Sequence, residues 1–246
     1  MSIQLLHGDC LEQFLNIPDK SVDLVLTDPP YGTTACKWDS VIPFEPMWKQ
    51  VWRVLKLNGA AVFTASQPFT SALVMSQIEA FKYEWVWEKG KASGHLNAKK
   101  QPLKAHENVL VFGVFTPLYN PQGLIEGATN SSRPSKGVNK GDVYGKQKPV
   151  YGNSEVHNYP RSVQKISGEH RPVHPTQKPV ALMEYLIKTY TNEGDTVLDF
   201  TMGSGTTGVA AKNLNRSFIG IERDDKYFKI AQERILGVQQ TWDDFV

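Results

Sequence analysis

Val197-Leu198-Asp199-Phe200-Thr201-Met202-Gly203-Ser204-Gly205-Thr206-Thr207-Gly208 is the stretch that decides the fold. An apolar run ends in an acid, and glycines then allow a tight turn into a helix whose amino terminus faces a ligand. Gly203, Gly205 and Gly208 satisfy G-x-G-x-x-G. Glu222 closes the next apolar run, Phe218 to Ile221, where a carboxylate can accept hydrogen bonds from two ribose hydroxyls. The stretch predicts one strand–turn–helix unit of an open α/β sheet and a nucleoside-containing ligand. Only 38 residues follow Gly208, enough for one strand and two helices. A nicotinamide dinucleotide domain opens with this motif and runs on through several βα units, so a dehydrogenase fits poorly. The other strands must come from upstream.

Upstream, strands are expected at Ile3–Leu6, Val22–Thr27, Ala60–Thr64, Phe81–Trp87 and Glu107–Phe112, and downstream at Thr196–Leu198 and Phe218–Ile221. Helices are expected from Cys10 to about Asn16, Pro43–Leu57 (stopped by Asn58-Gly59), Pro68–Ala80, Pro179–Tyr190, Thr206–Leu214 and Asp224–Leu236. Trp48 and Trp52 share the apolar spacing of the second helix and read as core. From Thr116 to Pro175 periodicity fails, and the composition is that of a long loop or small irregular subdomain.

The second signal is Asp28-Pro29-Pro30-Tyr31, at the carboxyl end of the buried run Val22–Thr27. Ligands of open α/β sheets bind just outside such strand ends. Asp28 and the carbonyl preceding Pro30 can accept both hydrogens of an exocyclic amine, while Tyr31 covers the ring face. Taken alone, the tetrapeptide also reads as a rigid turn capping a strand.

The 246-residue length suits one large α/β domain with a small insertion, and 40% hydrophobic with 21% charged residues is a soluble composition. No apolar run approaches the roughly 20 residues of a membrane span, and MSIQLLHGDC has no signal-peptide pattern, so a cytoplasmic protein is expected. Cys10 and Cys36 cannot form a disulfide framework or a four-cysteine metal site, and the histidine spacing suggests no metal site. Charge is uneven. Lys89 to His106 carries five lysines and no acid, and residues 129–178 carry a net +6 against −4 for the rest. Such segments suggest a polyanion partner.

Four pieces in this order carry a resemblance: Thr27-Asp28-Pro29-Pro30-Tyr31-Gly32, His106-Glu107-Asn108-Val109-Leu110-Val111-Phe112, His174-Pro175-Thr176-Gln177-Lys178-Pro179, and Leu198-Asp199 through Gly203-Ser204-Gly205-Thr206-Thr207. The chain resembles the beta class of S-adenosylmethionine-dependent DNA amino-methyltransferases over nearly its whole length. The resemblance implies a circularly permuted Rossmann-like α/β sheet with helices on both faces. It divides the chain into a catalytic half at 1–115, a target-recognition insertion at 116–174 and a cofactor-binding half at 175–246. Asp28, Pro29, Pro30 and Tyr31 would hold the flipped base. Asp9, Cys10, Asp28, Thr176, Lys178, Asp199, Phe200, Gly203, Ser204, Gly205, Thr206, Thr207, Glu222 and Arg223 would line the cofactor pocket, with Asp9 near the adenine, Glu222 on the ribose and Lys178 on the methionine carboxylate. Lys89, Lys91, Lys99, Lys100, Arg133, Lys136, Lys140, Lys146, Lys148, Arg161, Lys165 and Arg171 would contact double-stranded DNA. The family commonly has Asp-Pro-Phe before the glycine turn, whereas this chain has Asp199-Phe200-Thr201. Asp at the first position of the tetrapeptide favours adenine N6 over cytosine N4. A catalytically silent DNA-binding relative is the alternative of another class, and a homodimer is a family expectation with no residue pattern behind it.

Overall fold

The computed structural model describes residues 1–33, 39–127, 156–168 and 177–237. The chain divides into two compact units. The larger comprises Met1–Asn120 and Ser162–Val246, and the smaller Pro121–Arg161.

The larger unit is built on one eight-stranded sheet. Its strands are β1 (Ile3–His7), β2 (Val22–Thr27), β3 (Leu55–Ala65), β4 (Phe81–Ser93), β5 (Lys104–Phe112), β8 (Val163–Ile166), β9 (Thr196–Asp199) and β10 (Ser217–Glu222). They lie in the order β1-β10-β9-β2-β3-β5-β4-β8. The five from β1 to β3 pair in parallel, and β5 runs antiparallel to both β3 and β4. The last strands of the chain, β9 and β10, therefore sit between β1 and β2, which is the permuted order expected.

Helices cover both faces. Within β2, Val25 points into one core while Leu24 and Leu26 point into the other, the signature of a strand buried on both sides. On one face α1 (Cys10–Gln13) with the 3-10 turn Phe14–Asn16 that follows it, α2 (Phe44–Val54) and α3 (Phe69–Ser76) pack Phe14, Trp48, Val51 and Leu73 against Phe63, Phe112 and Phe200. On the other, α4 (Val180–Tyr190), α5 (Thr206–Asn213) and α6 (Asp225–Leu236) pack Leu186, Ala210 and Ile235 against Val62, Val111, Val197 and Phe218. From β9 the chain crosses through α5 to β10, and from β2 through α2 to β3. These crossovers leave adjacent strands in opposite directions on opposite faces. The carboxyl ends of β2 and β9 thus flank a topological switch point, where open α/β sheets form their ligand crevice.

The departures from expectation have local causes. The second helix ends at Val54 rather than Leu57, because Leu55 is already extended and pairs with Val22 in β3. Asn58-Gly59 falls within an irregular part of β3, where Asp23 binds Lys56 Nζ at 2.7 and 2.8 Å. The third helix ends at Ser76, short of Ala80. Strands β4 and β5 extend well past the expected ends, so the lysine-rich segment is largely hairpin arm, exposed throughout residues 93–106. Strand β8 lies in the stretch expected to be irregular, yet it joins the main sheet parallel to β4, with Val163 opposite Val86.

In the smaller unit β6 (Ile125–Glu126) and β7 (Val156–His157) pair antiparallel, and the Asn158 amide donates to the Gly123 carbonyl at 2.7 Å. No helix among the described residues is long and apolar enough to cross a membrane.

Candidate active site

Four acids mark the carboxyl edge of the sheet in strand order: Asp9 after β1, Glu222 ending β10, Asp199 ending β9 and Asp28 after β2. Each fixes a piece of backbone or a neighbouring side chain.

Asp28 is the most heavily engaged. Its Oδ1 accepts from the Tyr31 hydroxyl at 2.6 Å and from the Thr64 hydroxyl, and its Oδ2 accepts from Lys178 Nζ at 2.7 Å. Thr64 is in place because β3 is the parallel neighbour of β2, with Phe63 opposite Thr27. The Tyr31 ring stacks on Phe69 with centroids 5.1 Å apart. Burial raises the Tyr31 pKa well above the ordinary phenol range, and the Asp28 and Glu107 charges push the same way, so the hydroxyl stays a donor. Pro29 is buried and Pro30 half-buried, and neither carries an N–H, so the turn adds acceptors only.

Lys178 lies just before α4 and is 7% exposed. A helix amino terminus disfavours a cation, but Lys178 Nζ also lies 3.3 Å from Glu107 Oε2 and 5.7 Å from the Tyr31 ring centroid. Burial by itself would lower its pKa; the Asp28 and Glu107 carboxylates outweigh this and raise it. The ammonium therefore stays charged.

Asp199 is buried and organises the glycine turn. Its Oδ1 accepts from the Thr27 hydroxyl at 2.8 Å and the Thr201 amide at 3.1 Å, and its Oδ2 from the Thr207 hydroxyl at 2.6 Å. Burial pushes its pKa up to about 6, opposed by these hydrogen bonds. Thr27 spends its proton on Asp199, so the Thr201 hydroxyl, 2.6 Å away, donates to Thr27. Thr27, the residue before Asp28, thus ties the two halves of the site together.

Glu222 accepts from the Gly203 amide at 2.8 Å and from the Asp224 amide at 2.8 Å. Gly203 has φ +51° and Gly205 φ +80°, conformations costly for any residue with a Cβ. The two differ in their surroundings. A Cβ on Gly205 would meet Ile235 Cδ1 at 2.8 Å, whereas one on Gly203 would meet nothing within 4 Å. Gly205 lets α6 approach, and Gly203 faces open space. Asp9 caps α1, its Oδ1 accepting from the Leu11 amide at 2.9 Å.

Asp9, Asp28, Tyr31, Lys178, Asp199, Gly203 and Glu222 are therefore assembled along one edge. Other expected site residues are placed differently. Phe200 is core, packed against Phe14 at 5.3 Å and Phe63 at 6.1 Å between ring centroids. Cys10 is buried in α1, its thiol pushed up to about 12 chiefly by burial. The Ser204 and Thr206 hydroxyls face Arg234 Nη1 at 2.9 and 3.3 Å, and Thr207 turns to Asp199, so these three would offer a ligand backbone rather than side chain. Arg223 is exposed. Lys178 sits on Asp28 rather than standing free for a methionine carboxylate.

Among the basic residues, Lys91, Lys99 and Lys100 are exposed on the hairpin, and Arg161 is exposed. Lys165 is exposed and lies 3.3 Å from Glu88. Lys89 is turned inward, its Nζ 2.9 Å from Glu107 Oε1 with both side chains 15% exposed, so it does not present a free charge to a polyanion. Thr176, Arg133, Lys136, Lys140, Lys146, Lys148 and Arg171 lie outside the described residues.

Glu107 belongs to the site although the sequence pattern gives it no role. Strand β5 is antiparallel, with Asn108 opposite Ala65, so its start rather than its end reaches the carboxyl edge of the parallel strands. The available signal is an acid opening an otherwise apolar run, Glu107 before Val109–Phe112.

With this geometry in hand, similarity to known proteins is informative. A family profile described as DNA methylase matches residues 22–233. The DNA adenine methyltransferase YhdJ of Escherichia coli (strain K12) is 35% identical over 249 residues, covering 94% of this chain and 82% of the relative. The type II methyltransferase M.HpaI of Haemophilus parainfluenzae is 28% identical, covering 96% of this chain and 74% of the relative. The crystal structure of an M1.HpyAVI–SAM complex matches with a TM-score of 0.64 at 28% identity, covering 94% of this chain and 99% of that one. The cytosine-N4-specific PvuII DNA methyltransferase matches at 0.71 and 18% identity, covering 99% and 90%, a likeness of fold alone. The profile spans both the Asp28 turn and the glycine turn, and the fold brings those two turns to adjacent strand ends: the chain belongs to the DNA methylase family.

Proposed function

We propose that this protein transfers the methyl group of S-adenosylmethionine to N6 of an adenine flipped out of double-stranded DNA, at a specific site. The observation that carries the reading is Asp28, an acceptor held by three donors at the switch point, beside a glycine turn braced by Asp199 and Glu222. The glycine turn suits this cofactor. Gly203 leaves open space where a side chain would stand, and Glu222 and Asp9 are acceptors on either side for a nucleoside's donors. When bound, S-adenosylmethionine supplies an electrophilic methyl group.

The chain's own part is acceptance and positioning. Each carboxylate oxygen has two acceptor sites. Tyr31 and Thr64 fill both on Asp28 Oδ1, so an incoming amine would dock on Oδ2, beside Lys178. An aromatic amine is a weak nucleophile because its lone pair is delocalised; hydrogen bonds from its two N–H groups, one to Asp28 Oδ2 and one to the carbonyl preceding Pro30, favour a pyramidal nitrogen. After transfer the nitrogen sheds its extra proton to Asp28 or water. Rate enhancement of this kind rests on orientation and preorganised electrostatics. Removing the target from the duplex stack costs a few kcal/mol, offset in part by aromatic contact at Tyr31. The exposed Lys91, Lys99 and Lys100 would contact phosphates, and the 116–174 insertion would read base edges.

Adenine is preferred because YhdJ, named as an adenine enzyme, is a relative at 35% identity. Incubation with radiolabelled S-adenosylmethionine and DNA, followed by nucleoside mass spectrometry, tests this. N6-methyladenine is expected. N4-methylcytosine would move the acceptor to cytosine, and unlabelled DNA across varied substrates would overturn the enzyme reading.

A further inference from the structure

Lys178 takes one of the two acceptor sites on Asp28 Oδ2, the oxygen on which a substrate amine would dock, and a second carboxylate already lies within its reach. Its Nζ is 2.7 Å from Asp28 Oδ2 and 3.3 Å from Glu107 Oε2. Glu107 Oε1 is held by Lys89 at 2.9 Å, yet Oε2 is buried and accepts no hydrogen bond. Native interiors rarely leave such an oxygen unsatisfied, and each case calls for an explanation. Four charges alternate from the root of the basic hairpin to the acceptor: Lys89, Glu107, Lys178, Asp28. The Tyr31 ring also faces the ammonium, and Asp199 adds a further negative charge near Asp28.

We propose that Glu107 is a positioning residue that takes the Lys178 ammonium from Asp28 when the target amino group docks on Asp28 Oδ2. This rests on the reading of Asp28 as the amine acceptor. The shift needed is small, since the 3.3 Å contact has only to close to hydrogen-bond distance. A neutral amine then replaces an ammonium on Asp28 while the ammonium keeps a carboxylate partner throughout, so no buried charge is stranded. Lys89 keeps Glu107 from rotating away. Without Glu107, a Lys178 moved aside by the incoming amine meets no compensating anion.

The test is Glu107→Gln, which keeps the shape and removes the charge. Its kcat for DNA methylation is expected to fall about tenfold to a hundredfold, the scale of a small misplacement of reacting groups, with S-adenosylmethionine affinity unchanged. The alkaline limb of the kcat–pH profile should move to lower pH, because Lys178 loses one of the two anions that keep it protonated. A kcat and pH profile matching wild type would overturn the proposal, as would a loss of kcat matched by equal loss of cofactor affinity. Should the variant not fold, a crystal of the wild-type protein with S-adenosylhomocysteine and adenosine decides. Lys178 bonded to Glu107 Oε2 supports the exchange, and Lys178 still on Asp28 with Oε2 unbonded refutes it. A wild-type chain that methylates no DNA overturns the underlying reading, whereas active wild type with an equally active Glu107→Gln overturns this inference alone.

Discussion

Asp28→Asn separates the two jobs assigned to this residue, binding the buried lysine and accepting the amine. The amide oxygen can keep the Oδ1 contacts with Tyr31 and Thr64, which places the amide nitrogen against Lys178 Nζ, two donors 2.7 Å apart. Lys178, 7% exposed, is left with Glu107 at 3.3 Å. Breaking a buried ion pair by removing one partner costs about 3–5 kcal/mol. The remaining carboxylate compensates in part, so about 2 kcal/mol is expected here. For a chain of this size that lowers Tm by about 4–8 °C. Turnover suffers more, because removing one preorganised electrostatic partner of a reacting group costs about a hundredfold to a thousandfold in kcat. Methyl transfer from radiolabelled cofactor to DNA measures the second effect, calorimetric titration of cofactor isolates binding, and a thermal melt gives the first. Activity above a tenth of wild type would refute the acceptor role. An unchanged Tm would refute the buried ion pair.

The pH dependence of Asp199 has a definite sign. Burial raises its pKa from the ordinary 3.8 to about 6, so the folded state holds this proton more tightly than the unfolded chain. Its contribution is full only below about pH 3.8 and is lost as pH rises through 6, so the stability of wild type relative to Asp199→Asn should fall by about 2 kcal/mol between about pH 4 and 7 in urea unfolding. A pH-independent difference would contradict this. Gly205→Ala forces a Cβ to within 2.8 Å of Ile235 Cδ1 and 3.0 Å of Ala231 Cβ at φ +80°, and a loss of about 2–4 kcal/mol by the same assay is expected from overpacking plus left-handed strain. Lys99→Gln with Lys100→Gln should weaken DNA binding alike on all sequences and reduce the slope of log K against log salt by about 2, one per phosphate contact; an unaltered slope would take the hairpin off the DNA.

Much of the fold was legible because its central strands, such as β2 and β9, are buried and stand out as apolar runs. The helix limit at Val54 was not legible, since pairing of Leu55 with Val22 overrides a helical pattern that runs on past it. Strand β8 was hidden for a related reason. Its sequence, Val163-Gln164-Lys165-Ile166, lacks a buried run and earns its place through backbone pairing with β4.

By itself, the sequence placed the Asp28 turn ahead of the glycine turn, which is the permuted order of the two halves, and it determined the acids Asp28, Asp199 and Glu222 at strand ends. Tertiary structure alone decided what those acids meet. The antiparallel course of β5 carries Glu107 to the carboxyl edge, and the sheet order brings Lys178, 150 positions away from Asp28, into hydrogen-bond distance of it. Local pattern fixes where a side chain stands on its own strand or helix. Which charge compensates it in a dry interior depends on neighbours distant in sequence.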